Sequence, residues 1–423
     1  MEEQAASSRA RIVLLSCILF NATIGVLYAW SVIQRKLVTP LETNGFAWSS
    51  SQAGAPFSLA VIVFAAAMLF GGRLQDRIGP RWIVTAGAVF TGLGFILSGL
   101  VGNSVVGITL SFGVLSAIGM GFGYACVTPP ALKWFHPTQK GLISGLIVGG
   151  FGIAAVYYAP LTDGLLNSFG ISGTFTVLGA VTLIIGVCLA QFVQNPPSSY
   201  VPAAPRGATS SDQKPNAAPS NDVSWKDILG TRRFLMLFMM FLLASSVGLM
   251  VIGNITKIAA TQAHISDSTI LAFLVSFLAF TNTLGRVAGG QMSDKIGRVN
   301  ALFVTFILQM LNMAAFAFYR NLPTLILGII VVGFCFGTLL SVLPAMCADQ
   351  YGLRNFGMNY GILFLAWGFS GVVAPVFANF MFDTTGNFYT TYIFCALSMA
   401  GMIVVNYLLK RDLEASSLGN SRL

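Results

Sequence analysis

The stretch TNTLGRVAGGQMSDKIGR, residues 281–298, joins an apolar run to a dense polar turn. The turn itself, GGQMSDKIGR at 289–298, has a counterpart in GGRLQDRIGPR at 71–81. A second pair, GMGFGYACVTPPA at 119–131 and GFCFGTLLSVLPA at 333–345, shares two glycines and a proline at matched positions. Each pair occupies the same place in its half, so the chain is predicted to contain two copies of one structural repeat.

The composition excludes an ordinary soluble domain. Of the 423 residues 55% are hydrophobic and 9% charged, whereas soluble domains carry about 25% charged residues. We therefore predict an all-α membrane protein with twelve transmembrane helices. The twelve apolar stretches are 11–34, 52–72, 82–101, 105–133, 141–166, 172–193, 234–257, 269–292, 301–319, 322–348, 358–382 and 388–409.

A segment rich in proline, serine and alanine divides the chain. It covers residues 195–227 and contains six prolines, as expected of a flexible linker. The predicted organisation is an N-terminal six-helix half at 1–194, the cytoplasmic linker at 195–227, a C-terminal six-helix half at 228–411 and a cytoplasmic tail at 412–423.

The distribution of positive charge predicts the orientation. With both termini on one side, eighteen of the 23 lysine and arginine residues fall on that side and four on the other. This bias predicts cytoplasmic termini in the inner (plasma) membrane, and it explains the net charge of +9 without a nucleic-acid partner. The six cysteines lie in apolar segments without metal-ligand spacing, so neither a metal nor a cofactor is predicted.

The remaining positive charge, Arg286, is predicted to lie near the middle of the membrane. A charge there costs on the order of 3 kcal/mol or more, and none of the fourteen acidic residues falls at that depth in the sequence. An incoming anion is thus the favoured ligand, oriented with help from Asn282 one turn earlier. The alternative is an arginine held by backbone carbonyl groups and water. Further candidates are Leu27, Tyr28, Tyr124, Phe336 and Trp367, although such a residue alone more often serves helix packing than ligand contact.

The repeated turn resembles the signature loop of the major facilitator superfamily. The resemblance implies the major facilitator fold, with two pseudo-symmetric six-helix halves and a substrate site between them. It also implies a conformational latch, in which Asp76 faces the start of span eleven and Asp294 the start of span five. Gly72, Arg77 and Lys295 belong to the same two turns. The alternative is a plain solvated turn whose charges only set the topology.

Further stretches of the chain resemble oxalate/formate antiporters and monocarboxylate transporters. They are IGVLYAW at 24–30, ALKWFHPTQKGLISG at 131–145, and NTLGR and SDKIGR in the opening segment. Where the antiporters have a second cation and a glutamine, this chain has Trp367 and Leu27. Where the mammalian carriers have an aspartate and a lysine, it has Asn282 and Val32. The resemblance is greatest to a bacterial monocarboxylate transporter of the kind that moves L-lactate.

These observations predict a secondary active transporter of small monocarboxylate anions, such as L-lactate or pyruvate-like acids. The expected mechanism is proton-coupled symport by alternating access, carried out by a monomer in the lipid bilayer. The alternative is a carboxylate exchanger of the oxalate/formate type. A membrane enzyme finds no support, because the sequence has no nucleophile motif and no phosphate loop, so no catalytic residue is predicted.

Overall fold

The computed structural model describes residues 2–202 and 222–420, and within this part of the chain it contains helices and no strand. The α-helices are α1 (Glu2–Ile24), α2 (Trp30–Leu37), α3 (Ser50–Ile78), α4 (Pro80–Leu100), α5 (Val105–Leu110), α6 (Ala117–Trp134), α7 (Lys140–Ala190), α8 (Trp225–Leu229), α9 (Arg232–Gln262), α10 (Ser268–Ile296), α11 (Arg298–Phe316), α12 (Leu322–Tyr351), α13 (Phe356–Thr385) and α14 (Tyr389–Asn420).

Eleven helical segments of the described chain are long and apolar enough to cross a membrane. One of them contains α7, whose 51 residues would extend about 77 Å as a single helix, far beyond a hydrocarbon core of about 30 Å. The backbone of α7 turns non-helical at Gly170, with φ 66° and ψ −171°. Two spans therefore share α7, and the predicted all-α membrane fold with twelve spans is confirmed.

Two spans depart from regular α-helix. Span one consists of α1, a five-residue 3-10 segment at Gly25–Ala29, and α2. Span four consists of α5, a π-helical segment at Ser111–Ser116, and α6. Short 3-10 and π segments inside longer helices often mark functional positions, and neither segment was predicted from the sequence.

The helices form two compact units, each described separately below. The first comprises Met1–Phe135, Ile147–Ala203 and Phe356–Ile362, and the second comprises His136–Leu146, Ala204–Asn355 and Leu363–Leu423. The first seven residues of α7 thus pack with the second unit, and the first seven of α13 with the first. The domain boundaries drawn from the sequence stay a prediction, and residues 203–221 of the linker and 421–423 of the tail lie outside the described part.

Trp30, the first residue of α2, anchors the outer part of span one in the first unit. Its ring stacks on Phe112 with centroids 4.3 Å apart, and its indole N–H donates to the carbonyl oxygen of Ala53 at 3.2 Å. Phe95 and Phe175 complete this buried aromatic group. A buried indole needs such a hydrogen bond, so α2 is fixed at its first residue.

The repeated turns owe their glycines to backbone conformation. Gly79 has φ 90° and Gly297 has φ 86°, values that residues with a side chain rarely adopt. Each glycine ends one helix and begins the next, α3 to α4 and α10 to α11. The chain reverses between consecutive spans at equivalent places in the repeat.

The cysteines lie inside the helices without forming disulfides. Five of the six are buried, and Cys188 on α7 is exposed.

Candidate functional site

Arg286 lies deep in the second unit, on α10. Its side chain is among the largest that are fully enclosed, with 2% of the residue exposed. The guanidinium Nε donates a hydrogen bond to Oδ1 of Asn282 at 3.2 Å. Asn282 is one helical turn earlier and 6% exposed, so the predicted pair of residues is in direct contact.

Glycines on two neighbouring helices enclose the backbone of Arg286. A Cβ atom at Gly337 of α12 would overlap the carbonyl oxygen of Asn282 and crowd the amide nitrogen of Arg286. A Cβ atom at Gly145 of α7 would overlap the carbonyl oxygen of Arg286. Small residues let helices approach this closely, and here they fix the depth and direction of a buried charge.

We expect Gly337→Ala to destabilise the protein by about 1–3 kcal/mol, since inserting a methyl group into a filled contact forces the helices apart. Gly401→Ala on α14 is the matched control, because no atom lies within 4 Å of the added methyl group there. The measurement is the thermal unfolding of both purified variants. Equal unfolding temperatures would show that the α10–α12 contact is not tightly packed.

Two more candidates belong to the second unit. Phe336 on α12 is 5% exposed and packs against Gly248 of α9. Trp367 on α13 is half-buried and packs on Phe364, with ring centroids 4.9 Å apart. Both therefore sit in aromatic or apolar contacts of the kind expected in helix packing.

The other candidates belong to the first unit. Leu27 lies in the 3-10 segment of span one and is 4% exposed. Tyr124 on α6 is equally buried and meets the rings of Phe64 and Phe151 edge to face, at 5.6 and 5.2 Å. The side chain of Tyr28 lies outside the described residues.

Asp294 lies in the last turn of α10, in the second unit, and binds backbone amides at the start of α7. Its Oδ1 accepts a hydrogen bond from the amide of Gly141 at 2.8 Å, and its Oδ2 accepts one from the amide of Leu142 at 2.7 Å. Gly290 lies so close to the carbonyl oxygen of Gly141 that no larger residue fits. A carboxylate at a helix N-terminus satisfies unpaired amides and complements the helix dipole.

An ion-pair network surrounds this contact and was not predicted. Arg298 donates to Asp294 through Nη1 and to Oδ2 of Asp349 through Nε at 3.0 Å. Lys140 donates to Oδ1 of Asp349 at 2.8 Å. The side chains of Arg298 and Asp294 are only 12% and 9% exposed. Lys295, which the resemblance placed in the latch, is exposed.

Asp76 makes the equivalent contact in the first unit, but more weakly. Its Oδ2 accepts a hydrogen bond from the amide of Met358 at 3.4 Å, near the start of α13. Within the described residues its Oδ1 is buried without a hydrogen bond. Gly72 packs on the carbonyl oxygen of Gly357, just as Gly290 packs on Gly141. Arg77 is exposed.

The repeat explains why the two contacts differ. When Asp76 is matched with Asp294, Pro80 stands at the position of Arg298. When Pro130 is matched with Pro344, Phe135 stands at the position of Asp349. The first unit therefore lacks both residues that carry the network in the second.

Comparison with known sequences supports the interpretation of the fold. Residues 12–323 and 311–422 match the family model described as Major Facilitator Superfamily. The MFS-type transporter YhjX of Escherichia coli (strain K12) is 29% identical, over 85% of each chain. The oxalate:formate antiporter of Oxalobacter formigenes is 24% identical, over 93% of this chain and 90% of its own. Monocarboxylate transporter 2 of Homo sapiens is 24% identical, over 81% and 74%.

Solved structures agree with the sequence comparison at the level of the fold. The proton:xylose symporter XylE superposes with a TM-score of 0.67 at 15% identity, over 95% of this chain and 96% of that one. The predicted resemblance to the superfamily is thus confirmed, and the chain is a multi-pass membrane protein. Together with the family match across nearly all of its length, this shows that the chain belongs to the Major Facilitator Superfamily.

Proposed function

We propose that this transporter moves small monocarboxylate anions, such as L-lactate and pyruvate-like acids, together with a proton. The observation that carries the proposal is the enclosed guanidinium of Arg286, 2% exposed and oriented through its Nε by Asn282. A planar guanidinium can bind both oxygens of one carboxylate through parallel hydrogen bonds. A relative that transports oxalate and formate and a relative among the monocarboxylate transporters support the same substrate class.

A single fixed charge favours a single carboxylate. By the resemblance, Trp367 and Leu27 replace the second cation and the glutamine of the oxalate carriers. An apolar wall beside one cation suits a short apolar tail, and a second carboxylate would be left without a partner in a medium of low dielectric constant. The proposal therefore assigns the carboxylate to Arg286 and Asn282, and the tail to Leu27. Tyr124, Tyr28, Phe336 and Trp367 remain candidates for the rest of the site.

Coupling to a proton removes the electrical cost of moving an anion. One elementary charge crossing 100 mV gains or loses about 2.3 kcal/mol, so uptake of a lone anion into a negative cell is opposed. We therefore propose that the proton enters with the substrate or at Lys257, the outer end of span seven.

The two helix-start contacts are proposed to act as latches during alternating access. Asp294 and Asp76 would each hold the start of a helix, α7 and α13, in one conformation and release it in the other. The protein is proposed to work as a monomer in the plasma membrane with cytoplasmic termini, in keeping with the charge bias. A reporter fused to the C-terminus would test that orientation by its accessibility from outside the cell.

We expect uptake of labelled L-lactate into cells that express the protein to be faster at pH 6 than at pH 8. A protonophore should abolish the accumulation, because the proton gradient drives it. Uptake that ignores pH but requires an internal counter-anion would overturn symport. It would favour the second candidate function, carboxylate exchange, for which the oxalate:formate relative is the supporting observation. Absence of lactate uptake under every condition would overturn the proposed substrate.

A further inference from the structure

The 3-10 segment of span one, Gly25–Ala29, is held by a neighbouring helix of the same unit. Tyr157 and Tyr158 of α7 donate their hydroxyl hydrogens to two consecutive carbonyl oxygens just before the segment. Tyr157 bonds the carbonyl of Ala22 at 2.6 Å, and Tyr158 bonds that of Thr23 at 2.8 Å. Both carbonyls belong to the last turn of α1, directly before the chain changes to the tighter 3-10 pitch.

Other contacts around the segment favour the same break. The hydroxyl of Thr23 bonds back to the carbonyl of Leu19 at 2.9 Å, a pattern that loosens and bends helices. Gly25 packs so closely on Ala154 of α7 that a Cβ atom there would overlap it. Trp30 then fixes the first residue after the segment. One local hydrogen bond and tertiary contacts on both sides thus favour the break, in a stretch that has no proline to cause it.

The break determines where Leu27 points. An α-helix turns about 100° per residue and rises about 1.5 Å, whereas a 3-10 helix turns about 120° and rises about 2.0 Å. From Ile24 to Leu27 the difference accumulates to roughly 60° and 1.5 Å. A continuous α-helix would place the Leu27 side chain on a different face of span one.

We infer that Tyr157 and Tyr158 are positioning residues for substrate selectivity, because their hydroxyl groups hold the break that orients Leu27. This inference rests on the proposed function, in which Leu27 contacts the tail of the carboxylate. Neither tyrosine needs to touch the substrate. Loss of the hydroxyl groups should change the preference among substrates with different tails, since the carboxylate itself is assigned to Arg286 in the other unit.

The test compares Tyr157→Phe, Tyr158→Phe and the double variant with Tyr200→Phe. Tyr200 is the matched control, because its hydroxyl also bonds a backbone carbonyl in the first unit, that of Trp134, at 3.2 Å. We expect the double variant to change the ratio of kcat/KM for acetate to that for a branched five-carbon acid by about tenfold, the size of effect that one or two lost hydrogen bonds produce. Tyr200→Phe should leave the ratio within about twofold.

A double-mutant cycle separates positioning from plain stability. If the tyrosines act through Leu27, the change in ratio should vanish in a Leu27→Ala background. A ratio that never changes, or a change that persists undiminished without the Leu27 side chain, would overturn the inference. A purely structural role would lower expression or unfolding temperature while leaving the ratio intact.

Hydrogen exchange provides a readout that does not depend on transport. Amides of residues 22–30 should exchange several-fold faster in the double variant than in wild type, with no change in Tyr200→Phe. Unchanged exchange would overturn the inference whatever the substrate. If wild type takes up no monocarboxylate, the proposed function fails, while the exchange data still decide whether the tyrosines hold the break.

Discussion

Arg286→Ala is expected to reduce L-lactate uptake by at least about a hundredfold while the protein still reaches the membrane. A carboxylate left without its cation at this depth costs on the order of 3 kcal/mol, and each 1.4 kcal/mol is a factor of ten. The guanidinium is enclosed, with 2% exposed, so water cannot replace it easily. Initial uptake rates, normalised to the amount of protein in the membrane, provide the measurement.

Arg286→Lys should retain part of the L-lactate uptake that Arg286→Ala loses. The ammonium keeps the charge but loses both the hydrogen bond from Nε to Asn282 and the paired bonds to one carboxylate. Arg320→Ala is the matched control, since Arg320 is exposed in the connection between α11 and α12, and its loss should leave uptake unchanged. Undiminished uptake by Arg286→Ala would show that this arginine stabilises the helices and does not bind the substrate.

Asp294→Asn should impair the protein far more than Asp76→Asn. The carboxylate of Asp294 accepts two short hydrogen bonds from backbone amides and forms an ion pair with Arg298. An asparagine would turn an NH2 group towards one of these donors. Arg298 keeps Asp349 as a second partner, so the cost should stay below the about 3–5 kcal/mol of leaving a buried charge wholly unpaired. We expect a lower unfolding temperature together with slowed transport.

Asp76→Asn provides the comparison within the same molecule. Asp76 accepts a hydrogen bond of 3.4 Å from the amide of Met358, outside the usual range for an N–H donor. The amide of Gly357 and the charge of Lys133 also stabilise its carboxylate, but its Oδ1 is buried without a hydrogen bond of normal geometry. An amide should be tolerated there, with a change in stability below about 1 kcal/mol. Equal decreases in unfolding temperature in the two variants would contradict the stronger contact at Asp294. They would mean that both helix starts are held by the helix dipole alone.

Much of the fold could be predicted because its signals are long or repeated. Hydropathy over about twenty residues identifies a span without knowledge of its neighbours. The glycine at the end of each repeated turn has a backbone conformation that glycine favours, so Gly79 and Gly297 mark a real structural constraint. Asn282 and Arg286 were predicted to share a face because they are four residues apart on one helix, and the hydrogen bond between them agrees with that.

The remainder depends on contacts between residues far apart in the chain. Lys140 and Asp349 are 209 positions apart, and the sequence alone does not pair them. The break in span one was not predicted, since IGVLYAW contains neither proline nor a polar run. Besides the local bond of Thr23 to Leu19, the contacts around it come from Ala154, Tyr157 and Tyr158 of another helix. Hydropathy did place two spans, 141–166 and 172–193, within the stretch that the structure joins as α7, but the non-helical backbone of Gly170 between them was not predicted.

The burial of the cysteines has a practical consequence for fluorescence work. Five thiols are enclosed in the helices, and Cys188 is the one exposed among the six. Cys188 lies within the predicted span 172–193, where an exposed side chain faces lipid or the membrane interface. A membrane-permeant thiol reagent should therefore modify wild-type protein mainly at this position, and Cys188→Ser should leave it almost unlabelled. Dyes attached at introduced cysteines could then report, by energy transfer in single molecules, how the separation of chosen positions changes during a transport cycle.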